Sequence, residues 1–388
     1  MPNKNIQFAH LFVDRKEHYL YIDNIGRGAQ SQVQRCLHLK SGEVRARKVS
    51  LTRESTVSIL YQMDAEARIV SLLDAYPRPV DLPPPSYVEL FGFSDIPSKS
   101  SSLTERGQWH RVGYWRYANV GTANDIRWPW MSRNEPLPLA LLARFLSQVL
   151  ATLCFMYTRT YPIVHGDLGM RNILADWPED SILPDFWVAD FGLAVLKTKP
   201  VPASPAAVAV PQNTQPSAKA SRDRMWDVTQ LLQHIHSFLT QRRDIEQAEW
   251  MRALDSTGPL RPVIVELASL DANQRQGAYG DRFPDLRPVL KQAKEAEEYI
   301  LREHRTALVG LRAVYRKQVV NPAAGLQPKL YPTKEALLEA RCVYGPWHVA
   351  VVDVNTQPPA VLYIEEEAHS RPNLENSLSD TDPGSDVG

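Results

Sequence analysis

One stretch limits what this chain can be: His165-Gly166-Asp167-Leu168-Gly169-Met170-Arg171-Asn172-Ile173-Leu174. An apolar, helix-like run precedes it. A strand-like run, Phe186-Trp187-Val188-Ala189, then carries the chain into Asp190-Phe191-Gly192. Asp167 and Asn172 stand five residues apart in one loop, so their side chains can converge on a single group.

The order H-x-D-x-x-x-x-N followed by D-F-G resembles the catalytic and metal-binding loops of eukaryotic protein kinases. The resemblance implies transfer of the γ-phosphoryl group of ATP with Mg²⁺, a reaction that asks the protein mainly for positioning and charge neutralisation. It places Asp167 beside the acceptor hydroxyl and gives Mg²⁺ to Asn172 and Asp190. Arg171 stands where the D-L-A-A-R-N type of tyrosine kinase carries an arginine, a cation able to neutralise the moving phosphoryl group.

Upstream, Tyr19 to Ile22 is rich in strand formers, and Ile25-Gly26-Arg27-Gly28-Ala29-Gln30-Ser31-Gln32-Val33 follows. The second stretch resembles the kinase glycine-rich loop with Ser31 in the third glycine's place. It implies nucleotide contacts from Ile25, Gly26, Gly28 and Val33, because glycine lets backbone approach a phosphate with no Cβ in the way. Taken alone, the same glycines also fit a hairpin turn. Val33 to Leu39 and Val44 to Val49 read as strands around a turn at 40–43, and Lys48 matches the phosphate-binding lysine of the V-A-I-K strand. Arg53 to Leu73 reads as a helix, with Ile59, Met63, Ala67, Val70 and Leu73 apolar at steps of three or four. Glu66, 18 residues after Lys48, is the implied ion-pair partner that positions the lysine, with Glu54 as the rival.

Residues 76–85 hold five prolines and read as a rigid loop, or as a ligand for a partner domain. Strands are expected at 86–93 and 109–117, around a serine-rich loop at 96–108; Trp115-Arg116-Tyr117-Ala118 then matches the adenine hinge. Leu139 to Tyr161 is the strongest helix, with a stripe of Leu142, Leu146, Val149, Leu153 and Met156 and polar Arg144, Gln148 and Thr152 on another face. Residues 197–221, rich in Pro, Ala, Val and Ser, read as a mobile activation segment carrying Thr198, Ser204, Thr214 and Ser217; the closing A-P-E motif is missing. A helix opens at Asp223 or Asp227. Either aspartate could cap it, and Asp227 matches the one that ties the family's central helix to the catalytic loop. Helices follow at 247–254, 262–270 and 283–304, and Asp271-Ala272-Asn273-Gln274-Arg275 resembles the D-P-x-x-R segment. Two strands are expected at 347–354 and 360–366.

Lysine plus arginine (44) balance aspartate plus glutamate (44), so no bulk charge points to nucleic acid. Three scattered cysteines argue against a disulfide framework and fit an intracellular protein. The apolar run 137–157 is interrupted by Arg144 and Gln148, so no membrane insertion is expected. The expected architecture is α+β and bilobal: a lead (1–18), a kinase-like domain (19–300) and a C-terminal extension (301–366), then a disordered acidic tail (367–388). Within the domain, the N-lobe (about 19–117) has an antiparallel sheet plus one helix, the C-lobe (about 122–300) is mainly helical, and the activation segment spans 193–221. The implied activity is phosphorylation of Ser/Thr, less readily Tyr, on a protein substrate. Further partner contacts are expected through the 77–85 loop or the extension. A small-molecule phosphotransferase and a pseudokinase scaffold are the alternatives; the retained Lys48, Glu66, Asp167, Asn172 and Asp190 argue against the scaffold.

Gly166 replaces the arginine of H-R-D, and Gly169 stands where serine/threonine kinases carry a lysine. The first change leaves the catalytic loop without its usual cationic partner for an activation-segment phosphate. Phosphatase-treated protein from bacteria should therefore be as active as untreated protein. Thr198→Ala, Ser204→Ala, Thr214→Ala or Ser217→Ala should each change the rate by less than about threefold, about 0.7 kcal/mol. A roughly hundredfold loss from any one would mean that another basic residue, Arg171 first, answers such a phosphate.

Overall fold

Two-residue alternation builds the first part of the chain. Along Ser31–His38, Gln32, Gln34 and Cys36 are buried while Val33 and Arg35 are half-buried, as a strand with unlike faces requires. The structure, a computed structural model, describes residues 6–28, 31–50, 57–97, 109–197, 227–240, 247–276, 283–315, 327–340, 343, 347–356 and 359–365. Glu54, Asp223, the four candidate phosphosites and the 367–388 tail lie outside the described residues. The chain divides into two units, Met1–Leu60 with Phe91–Arg116 and Leu326–Gly388, and Tyr61–Leu90 with Tyr117–Gly325.

The first unit is a sheet of β1 (Ile6–Asp14), β2 (Glu17–Arg27), β3 (Ser31–His38), β4 (Val44–Ser50), β5 (Leu90–Pro97) and β6 (Trp109–Arg116). The chain later returns to add β12 (Leu330–Tyr331), α10 (Lys334–Glu339), β13 (His348–Asp353) and β14 (Ala360–Glu365). The order is β14-β13-β1-β2-β3-β4-β6-β5, with β12 also on β1. The expected lead therefore contains a sheet strand, and the expected extension completes the same sheet. β1 and β13 pair antiparallel from Ile6↔Asp353 to Leu11↔His348. Burial is continuous from Ala9 to Phe12, so both faces of β1 are covered.

One face of the sheet packs Phe12, Tyr21, Val49 and Tyr114 against Tyr331, Leu337 and Trp347 of the returning chain. Tyr19 and Tyr114 stack with centroids 4.0 Å apart. His10 meets Trp347, Tyr331 and Tyr21 edge-on at 4.3, 5.3 and 5.8 Å. Arg47 lies wholly buried on this face. Its guanidinium donates to Gln34 Oε1 at 2.6 Å and sits 3.8 Å above the Phe12 ring, a cation–π contact that grows stronger out of water.

The second unit is built on α3 (Leu139–Tyr157), buried almost all round. By length and composition it is apolar enough to cross a membrane, but 83% of it is buried inside the structure, as for a core helix. Its polar residues are grips rather than a wet face. Arg144 pairs with Glu297 at 2.9 Å and Asp185 at 2.6 Å, Gln148 accepts from the Phe186 N–H at 2.6 Å, and Thr152 bonds both backbone groups of Ser86.

Around it stand α1 (Val57–Ala75), β7 (Gly121–Thr122), α2 (Ala123–Met131), β8 (Ile163–Val164), β9 (Ile173–Asp176), β10 (Asp185–Val188) and β11 (Val195–Leu196). The helices α4 (Asp227–Thr240), α5 (Gln247–Asp255), α6 (Arg261–Arg275), α7 (Arg287–Glu303), α8 (Arg305–Leu308) and α9 (Leu311–Val314) follow. α1, expected with the sheet, belongs to the second unit from Tyr61 onward. There the Tyr87 hydroxyl donates to Asp74, and Arg159 donates to the Pro77 carbonyl at the start of the proline-rich loop. α2 had no sequence signal: it is short and contains Pro129. Arg275, the last residue of the D-P-x-x-R-like segment, pairs with Asp271 at 2.9 Å.

The returning segment should be part of the sheet unit's stability. Leu337→Ala should cost about 2–5 kcal/mol and Trp347→Ala about 3–5 kcal/mol, as for other buried large-to-small changes. Denaturant unfolding of the full chain checks this. A chain ending at residue 325 that unfolds at the wild-type denaturant concentration would show that the sheet does not need its last strands.

Candidate active site

The residues of the 165–172 loop are placed by two short pieces of antiparallel pairing. β8, entering the loop, pairs with β11, leaving the D-F-G turn, as Val164↔Val195 and Ile163↔Leu196. β9 and β10 pair from Ile173↔Val188 to Asp176↔Asp185, and the Ala189 N–H donates to the Asn172 carbonyl at 2.8 Å. Asn172 and Asp190 thus flank the base of one hairpin. Residues 177–184, between β9 and β10, lie at its far end, where the Trp177 indole is buried against Tyr315 and donates to the Ser181 carbonyl.

Within the loop, the Asn172 side-chain nitrogen donates to the Asp167 carbonyl at 2.8 Å and to Asp167 Oδ2 at 2.9 Å. Its nitrogen is thereby committed, and its oxygen is the end available to a cation. Asp190 adopts the left-handed conformation, with φ +62°. A Cβ on the following Gly192 would stand 3.4 Å from both Asp190 Oδ1 and the Gln62 carbonyl, closer than most real contacts. One turn along α1 from Gln62, Glu66 is buried. Phe191 is buried between His165, with centroids 4.9 Å apart, and Tyr87 at 6.5 Å. A carboxylate and an amide oxygen at the base of one hairpin fit Mg²⁺, which binds through few carboxylates and substrate phosphates. Arg171 is exposed in the 3-10 turn Met170–Asn172 and makes no hydrogen bond or ion pair among the described residues.

The loop has almost no regular structure, so its backbone groups need other partners. Asp227, fully buried at the start of α4, accepts from the His165 and Gly166 N–H groups, each at 2.9 Å. It also accepts from the Tyr157 hydroxyl at 3.0 Å. Burial, and then the Asp227 charge, push the Tyr157 phenol well above its ordinary pKa, so it stays a donor. His165 accepts from the Asp167 N–H on Nδ1 (3.3 Å), and its Nε2 is the end that faces the Ala189 carbonyl (3.0 Å). Gln230 and His234, one and two turns along α4, bond the backbone of Leu168. Sequence reasoning missed both, although their spacing from Asp227 puts all three on one helix face.

The remaining site residues lie on the sheet. Gly26 pairs with Val33, Val33 with Lys48, and Lys48 with Gly113, so the four form one row across β2, β3, β4 and β6. Directly opposed residues share a face, which sets Val33 beside Lys48 between two glycines. Gly26 lies within β2 rather than in a loop, and Ile25 is exposed. The Gly28 N–H donates to the Ser31 carbonyl at 2.8 Å, closing the β2–β3 turn. Gly113 was not anticipated: a Cβ there would stand 2.7 Å from the Trp115 indole nitrogen. Lys48 belongs to the first unit and Glu66 to the second.

No family model and no curated protein matches this chain. It is similar in structure to the crystal structure of the BubR1 kinase domain, with a TM-score of 0.53 and 17% sequence identity, covering 82% of this chain and 89% of that one. The chain therefore has an α+β, bilobal, protein-kinase-like fold.

Asp227→Ala should be among the most damaging single changes. It leaves two backbone N–H groups and a buried phenol without their acceptor, at about 1–3 kcal/mol for each unsatisfied group. Denaturant unfolding should show a loss of several kcal/mol; a loss under about 1 kcal/mol would mean that the loop finds other acceptors.

Proposed function

We propose that this chain is an ATP- and Mg²⁺-dependent protein kinase that phosphorylates serine or threonine hydroxyls, less readily tyrosine. The observation that carries the reading is the joint placement of Asp167, Asn172 and Asp190 at the base of one hairpin, with the Asn172 amide tied to Asp167. Asp167 orients the acceptor hydroxyl and takes its proton as the bond from its oxygen to the γ-phosphorus forms and the bond to the ADP oxygen breaks. Asn172 Oδ1 and Asp190 would hold Mg²⁺, whose charge offsets that of the phosphates. Val33, Gly26 and Lys48 supply a row with little side-chain bulk beside one cation, suited to a nucleotide phosphate tail. Arg171, exposed at the loop, is the nearest candidate cation in sequence for the moving phosphoryl group. The likeness to a solved kinase domain supports the fold on which this reading rests.

A second reading, a phosphotransferase acting on small molecules, is favoured by one observation: glycine at position 166, with φ +76°, in the H-G-D form of the motif. Purified protein with labelled ATP, offered a degenerate peptide array beside a panel of small-molecule alcohols, separates the two. Label only on small molecules would overturn the protein-kinase reading.

Asp167→Ala should keep nucleotide binding and lose roughly two to four orders of magnitude in turnover, as when a general base is removed. Asp190→Ala should lose the effect of Mg²⁺. In the wild type, Mg-ATP at a hundred times its dissociation constant should stabilise by about 2.7 kcal/mol, and EDTA should remove most of that. A thermal shift insensitive to EDTA would rule out the proposed cation site.

A further inference from the structure

Two glycines flank Asp167. Gly166 takes φ +76°, and a Cβ on Gly169 would meet nothing within 4 Å, so no neighbour packs against that position. Glycine is the most permissive residue for backbone conformation, so a loop of this composition has little stiffness of its own. A group that must meet a reacting oxygen nevertheless needs a fixed place. Hydrogen bonds must supply the rigidity.

Asp227 holds the peptide groups before Asp167, through the N–H groups of His165 and Gly166. The peptide group after it is held at both ends. Its carbonyl, on Asp167, accepts from the Asn172 side chain and the Gly169 N–H, each at 2.8 Å. Its N–H, on Leu168, donates to Gln230 Oε1 at 2.7 Å. The next carbonyl, on Leu168, accepts from His234 Nε2. Asp227, Gln230 and His234 are spaced three and four apart on α4, so one helix face grips the loop on both sides of Asp167. The adjoining stripe, Val228, Leu231, Ile235 and Phe238, is buried in the core and fixes the helix itself. Burial, with Arg127 nearby, lowers the His234 pKa, which leaves a neutral ring whose Nε2–H goes to Leu168.

We propose that Gln230 and His234 are positioning residues for Asp167: by fixing the two peptide groups that follow it, they hold its carboxylate in the place from which it acts. The proposal rests on Asp167 as the base of a phosphoryl transfer, and its test separates the two claims.

In the full-length chain, Gln230→Met and His234→Phe each remove one hydrogen bond at similar side-chain volume. Amide hydrogen exchange over residues 163–172 should become faster in each variant, with protection elsewhere unchanged. Turnover of Mg-ATP with a degenerate peptide mixture should fall roughly ten- to a hundredfold, the scale of a misplacement of about 1 Å. The Mg-ATP dissociation constant should stay within about threefold, a change of about 0.7 kcal/mol. Gln230→Glu keeps an acceptor and should recover most of the lost turnover, which a purely packing role would not give. If one of the two variants does not fold, the other carries the test alone. Unchanged exchange in the folded variants overturns the proposal, as does a loss confined to nucleotide affinity. If the wild type transfers no phosphoryl group, the kinase reading fails, while locally faster exchange still supports the positioning.

Discussion

The buried carboxylate of Asp227 is the interaction on which the rest of the site depends. It satisfies two consecutive backbone N–H groups in a loop that makes no ladder of its own, and a buried phenol shares it. A buried charge is tolerated only where hydrogen bonds replace the lost water, and three donors do so here. The same carboxylate begins α4, so the core packing of that helix fixes the height of the 165–172 loop. Gln230 and His234 extend the grip past Asp167, and His165 and Asn172 close it from within the loop.

A second constraint is register. Pairing of β9 with β10 brings Asn172 and Asp190 to one place whatever the length of the chain between them, because added residues leave by the hairpin's far end. Residues 177–184 therefore leave that meeting point unchanged, and they have a structural use. Trp177, buried there, packs on Tyr315, whose hydroxyl bonds the Ile126 carbonyl and receives the Trp130 indole N–H. The chain beyond α7 is thus tied to α2 and the hairpin loop inside the second unit.

The sheet shows a different economy. Its Lys48 row is lined by small residues, whereas the opposite face is sealed by Tyr331, Leu337 and Trp347 from the end of the chain. Arg47, one residue before Lys48, points into that sealed face, where Gln34 and the Phe12 ring take the place of water. A β-strand sends adjacent residues to opposite faces. Two neighbouring cations therefore end in unlike surroundings, one between Val33 and Gly113 and one in a core.

Much of this was legible in the residues themselves. The H-x-D-x-x-x-x-N and D-F-G spacing, the glycines before Val33, the strand carrying Lys48 and the stripe of α3 are local patterns, and local geometry follows from them. α2, the strand at Ile6–Asp14, Gly113 and the pair Gln230 and His234 were not legible. A short helix containing proline has little periodicity, and a glutamine or histidine on a helix usually faces water. What sequence determined alone was the set of chemical groups and their order along the chain. The tertiary structure decided which of them meet: residue 6 pairs with residue 353, and the backbone of Leu168 finds the side chain of Gln230, 62 residues away. These partners are chosen by packing and by the need to satisfy buried polar groups, and neither leaves a periodic trace in the chain.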